Sequence, residues 1–157
     1  MRVELLFVGI LIFIIGFSTA SLFSEVEKRT AFGGSVDRDN PSDFITSDEI
    51  HLYNDKLVIE KEGLKYASVE DTKSMEPLLS ANSHTIETKP EQDRLGKGDI
   101  ISFYDTSTGK TIVHSIVEIG ADDSGWYART KGYNTDFTDE WKVRFTDIKG
   151  VVVGVLN

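Results

Sequence analysis

The chain contains no cysteine, and that absence removes two possibilities at once: a disulfide-stapled framework and a thiolate metal centre. Basic residues are scarce as well, 17 lysines and arginines against 26 acids, for a formal net charge of −9. An acidic protein repels phosphate backbones, which argues against nucleic acid as a partner, and it offers no basic face to anionic lipid. Histidine is rare: His51, His84 and His114 share no metal-ligand spacing, which argues against zinc. Internal repeats and long 3.6-residue apolar periodicity are both missing, so a helical bundle is not expected.

One apolar stretch is present. Residues 5–23 carry no charge over roughly 19 positions, close to the ~20 a helix needs to cross a bilayer core. A cleavable signal peptide is the competing reading, because Arg2 supplies a positive start and Ser18 and Ala20 supply small residues at a cleavage site. Leu22 and Phe23 carry the apolar run past that site, which favours a retained membrane anchor over 1–23. Arg2 and Glu4 cancel, so the net negative charge belongs to residues 24–157. Positive charge lies on both sides of the stretch, at Arg2 and at Lys28-Arg29, and does not set its orientation.

Residues 24–49 read as a linker or stalk, since Gly33-Gly34, Pro41 and their polar neighbours are turn and breaker chemistry. From residue 50 the pattern changes to short runs rich in Val, Ile, Tyr and Phe, over 50–53, 56–60, 64–69, 99–105, 110–119, 125–130 and 147–156. Asn54-Asp55 and the stretch 106–109 supply hairpin turns. The expectation is a mainly β domain over 50–157, large enough to bury a core of its own.

Three residue types in that domain suit nucleophilic hydrolysis of an amide. Ser74 lies in the loop Ser74-Met75-Glu76-Pro77, where Pro77 keeps Glu76 out of helical geometry and stiffens the turn. His114 falls on a strand whose alternation puts Ile112, His114 and Ile116 on one face, a setting suited to a general base. Asp136 and Asp139 sit in a turn-rich stretch after Lys131-Gly132, and either could orient the imidazole. Each feature alone reads more simply as a loop serine, a half-buried histidine or a solvated acid.

Taken in order, five segments resemble type I signal peptidase, in its archaeal and endoplasmic-reticulum branch, which uses histidine where most bacterial enzymes use lysine. They are Ser74-Met75-Glu76-Pro77, Gly98-Asp99-Ile100-Ile101, Ile112-Val113-His114-Ser115-Ile116-Val117-Glu118-Ile119, Thr130-Lys131-Gly132 and Gly150-Val151-Val152-Val153-Gly154. The likeness spans roughly residues 66–156. It implies a compact signal-peptidase-like β-fold behind an N-terminal transmembrane helix, with the active site facing the outer leaflet at the extracytoplasmic side of the cell membrane. It also implies cleavage of exported preproteins after small residues, with Ser74 as nucleophile, His114 as general base and Asp139 as the acid. No metal or organic cofactor is implied by it. The partners implied are preprotein or signal-peptide substrates and, through the N-terminal helix, membrane lipid. Met75 and Leu78 are candidates for the wall of a small apolar specificity pocket. Two positions depart from the family: Tyr133 stands where aspartate usually follows Lys-Gly, and Ser115 where arginine commonly follows the histidine.

Other motifs reduce to turns. Gly109-Lys110-Thr111 resembles the end of a phosphate loop, but Tyr104 occupies the earlier glycine position. Asp122-Asp123-Ser124-Gly125 lacks the remaining ligands of a calcium loop. Lys73 adjoins Ser74, but adjacent side chains diverge, which disfavours a serine–lysine dyad. A non-catalytic, membrane-tethered β-domain that binds exported peptides or a partner protein is the alternative from another functional class. A processing enzyme for pilin-like substrates is a narrower version of the peptidase reading.

Overall fold

A computed structural model describes residues 39–70 and 73–157 of the protein. The anchor expected over 1–23 and the stalk residues 24–38 lie outside the described residues. Among those described, no helix is long and apolar enough to cross a membrane.

The fold is mainly β. A two-stranded hairpin pairs β1 (Ile50–Leu52) with β2 (Leu57–Ile59). The other strands are β3 (Lys65–Ser68), β4 (His84–Thr88), β5 (Ile100–Asp105), β6 (Lys110–Asp122), β7 (Gly125–Lys131), β8 (Val143–Arg144) and β9 (Ile148–Leu156). They form one sheet in the order β3-β4-β9-β5-β6-β7-β8, antiparallel throughout. The β-branched runs form these strands because alternate side chains can enter a core while the others stay outside. Ile101 and Phe103 of β5, Ile116 of β6 and Val151 of β9 are all but fully buried.

Register explains where His114 points. Antiparallel partners share a face, and β5 pairs Ile101 with His114 and Phe103 with Ile112. His114 therefore leaves the strand on the same face as the core aliphatics, as the alternation of β6 requires. A bulge between Ile116 and Glu118 shifts the register as β6 passes from β5 to β7. Among the described residues, 110–114 pair with β5 on one side and with no strand on the other, and β3 pairs with β4 alone.

The structure differs from the sequence reading at three places. β4 lies in a stretch not expected to form a strand, and β8 is likewise absent from the expected runs. The segment 39–49, assigned to the stalk, packs onto the domain: Phe44 is 2% exposed within the core cluster, and the Ser42 N–H donates to Asp99 Oδ1 at 2.5 Å. Asp99 Oδ2 accepts the Gly96 N–H at 2.7 Å, so this buried carboxylate ties the segment to the approach to β5.

At the far end of β6, Asp122 accepts from Arg144 at 2.9 and 3.0 Å and from Lys142 at 2.7 Å. The Arg144 guanidinium, and after it the Lys142 ammonium, hold the Asp122 carboxyl well below the usual carboxylate range. A carboxyl depressed on folding stabilises above its unfolded pKa of about 4, and that contribution is lost as pH falls through the folded value. Asp122→Asn should therefore lower the melting temperature by a few degrees at pH 7. The gap to wild type should shrink in acid and in high salt, because the cluster is solvent-accessible. Thermal melts of both proteins at neutral pH and near pH 3 check this; a gap unchanged by pH would assign the ion cluster no role.

Candidate active site

Ser74, His114 and Asp139 come from the β3–β4 loop, the middle of β6 and the stretch between β7 and β8. The fold brings all three together. His114 Nδ1 lies 2.7 Å from Asp139 Oδ2, and His114 Nε2 lies 3.1 Å from Ser74 Oγ. A carboxylate only accepts, so Nδ1 carries the hydrogen and Nε2 presents its lone pair to the serine hydroxyl. Asp139 is 4% exposed, His114 8%, and Ser74 is half-buried, so the line runs from the interior out to the nucleophile. Asp136, the other candidate acid, is exposed and outside the line.

Each member is held by its own element. The Asp139 N–H donates to the Thr130 carbonyl at 2.8 Å, and the Thr130 hydroxyl donates to Asp139 Oδ2 at 2.6 Å. Thr130 is fully buried on β7, so the carboxylate is fixed from two directions. Sequence reasoning places Thr130 in a motif and gives it no role; the available signal is the alternation that turns Ala128 and Thr130 inward.

The nucleophile loop is clamped by the residues after Lys131. The Asn134 N–H donates to the Ser74 carbonyl at 2.7 Å, the Asn134 side-chain amide donates to the Lys73 carbonyl at 3.1 Å, and the Tyr133 N–H reaches Met75 Sδ at 3.3 Å. A Cβ at Gly132 would come within 2.7 Å of the Ser74 carbonyl oxygen, so only glycine lets the two loops approach so closely. Met75 and Leu79 anchor the loop in the interior, each 2% exposed. Lys73 turns the chain into the serine with φ of +59°, and its side chain is exposed.

The relay opens into a groove of about 680 Å³. One wall is residues 67–70, at and beyond the end of β3; the other is residues 110–114 of β6. Both walls carry strand edges that no other strand occupies among the described residues. Met75 lines the groove and Leu78 does not. Thr85, Glu87 and Ser102 also line it, and all three are buried polar side chains.

The remaining histidines lie elsewhere. His51 faces Glu60 at 3.6 Å on the hairpin, and His84 stacks on Tyr66 with its Nδ1 3.2 Å from Ser68 Oγ. Among the described residues no group of three or more His, Asp or Glu could hold a metal ion. Gly109 closes the β5–β6 turn, its N–H donating to the Asp105 carbonyl at 2.8 Å, and Lys110 and Thr111 already belong to β6. No protein-family model, no curated protein and no solved structure matches the chain.

Proposed function

We propose that the protein is a membrane-bound serine endopeptidase that removes signal peptides from exported preproteins, cutting after small residues. One observation carries this reading: a hydroxyl, an imidazole and a buried carboxylate in hydrogen-bonding line, opening into a groove between two strand edges that are unpaired among the described residues. Free strand edges bind an extended peptide through its main chain, whatever its side chains. That arrangement would lay a scissile carbonyl across the serine.

In this mechanism His114 takes the Ser74 proton as Oγ attacks the carbonyl carbon, then returns it to the leaving amine as the peptide bond breaks. Water, deprotonated by the same imidazole, then attacks the acyl carbon, and the ring returns that proton to Ser74 Oγ as the ester bond breaks and the acid is released. Asp139 holds the ring in the tautomer that can accept and stabilises the positive ring as it forms. Tyr133 stands where the resembled family places a second acid, and its backbone N–H meets Met75 instead. The loop thus steadies the nucleophile through main-chain contacts, without a second carboxylate. The uncharged stretch 5–23 supports anchoring in the cell membrane; the extracytoplasmic side for the catalytic domain rests on the resemblance to signal peptidase.

The test is incubation of the detergent-solubilised full-length protein with a preprotein bearing an Ala-x-Ala site. A single cut after the last alanine is expected, identified by mass spectrometry of the two products. Binding of the preprotein without any cut, by protein that melts cooperatively, would replace this reading with that of a peptide-binding module.

A further inference from the structure

The groove contains a buried carboxylate that the proposed hydrolytic steps do not use. Glu87 is 5% exposed and lines the same groove as Ser74 and His114. Its Oε1 accepts from the Thr85 hydroxyl at 2.9 Å and its Oε2 from the Ser102 hydroxyl at 2.6 Å. A Cβ at Gly150 would collide with the Glu87 carboxylate, so the glycine of β9 makes the room that this group fills. Burying an acid is unfavourable unless hydrogen bonds and a counter-charge compensate it. Hydrogen bonds are supplied, but among the described residues no cation lies within ion-pair distance of Glu87. The groove's two lysines are engaged elsewhere: Lys110 faces Glu70 at 3.6 Å, and Lys149 lies over the Tyr104 ring at 5.8 Å.

From this geometry we infer that Glu87, held by Thr85 and Ser102, receives a lysine or arginine side chain of the bound peptide. The inference rests on the peptidase reading for the peptide's presence in the groove, and it assigns that peptide a basic residue near the scissile bond. Each carboxylate oxygen keeps a lone pair beyond the one its hydroxyl uses, so a cationic donor can bind without displacing either partner. The surrounding protein has a net charge of −9, which adds long-range attraction for a basic peptide. A purely apolar chain entering there would leave the carboxylate desolvated and without a counter-charge, which is how such a subsite rejects it.

The test uses quenched fluorescent peptides built on one Ala-x-Ala sequence, with a single lysine moved one position at a time across the cleavage site. Norleucine at the same position is the control. At one position lysine should raise kcat/KM over norleucine by about tenfold or more, and in Glu87→Gln that ratio should fall to near unity. Equal rates for lysine and norleucine at every position overturn the subsite, and this arm depends on wild-type protein alone. So does a preference that survives Glu87→Gln. The same peptides, dye-labelled and without the quencher, are titrated onto full-length Ser74→Ala protein with and without Glu87→Gln. A lysine preference in Kd that Glu87→Gln erases supports the subsite even where wild type cuts nothing, an outcome that would remove the peptidase reading alone. Equal Kd values, or no binding, overturn the subsite whether or not cleavage occurs.

Discussion

Replacing Ser74 or His114 by alanine is expected to reduce preprotein cleavage by about 10⁶-fold, and replacing both should cost little more than either. The reason lies in the 3.1 Å spacing between Ser74 Oγ and His114 Nε2. The hydroxyl is a weak nucleophile until the ring accepts its proton, and the ring has nothing to activate once the hydroxyl is gone. Two groups that act as one step cannot have additive effects. The measurement is product formation over long incubations, beside melting curves showing that each variant folds. Ser74 is half-buried and its removal leaves Met75 and Leu79 in place, so Ser74→Ala should melt near wild type. Residual activity within about 100-fold of wild type in Ser74→Ala would mean that another group attacks the substrate.

Asp139→Asn should lower kcat by about 10⁴-fold, while Asp136→Asn should matter far less. The buried acid receives the imidazole N–H at 2.7 Å and the Thr130 hydroxyl at 2.6 Å, both on Oδ2. An asparagine of the same shape can turn its amide N–H toward Nδ1. The ring hydrogen then moves to Nε2, and the serine hydroxyl loses its acceptor. Asp136 is exposed and touches neither ring nor hydroxyl, so its amide variant disturbs no proton path. The two variants should be compared by kcat on one peptide. If Asp136→Asn proved the more damaging, the acid's role would pass to the loop tip.

The strands rich in β-branched and aromatic residues were legible in the sequence: β3, β5, β7 and β9 through that composition, β6 through alternation as well, and β1 and β2 through the turn between them. β4 was not legible, and the cause is physical. Its inward residues are Thr85 and Glu87, so the usual rule of apolar inside and polar outside runs backwards along it. A pattern search for buried hydrophobes passes over a strand whose buried face is polar. β8 has two residues, too few to show any period. Phe44 was hidden for a different reason, since one aromatic among breakers gives no periodic signal. At the site, Ser74 and His114 could be named from their motifs. The choice between Asp136 and Asp139 depended on which carboxylate the chain turns inward, and three residues of loop sequence do not encode that without the third dimension.

The strap formed by residues 39–44 decides how the domain can be excised. The Asp39 carbonyl passes so close to Gly98, whose φ is +91°, that no side chain would fit there, and Ser42 and Phe44 follow it onto Asp99 and the interior. A recombinant fragment begun at residue 50, where strand-like sequence starts, would lack an aromatic plug and one donor to a buried acid. A fragment that keeps these contacts starts no later than Asp39.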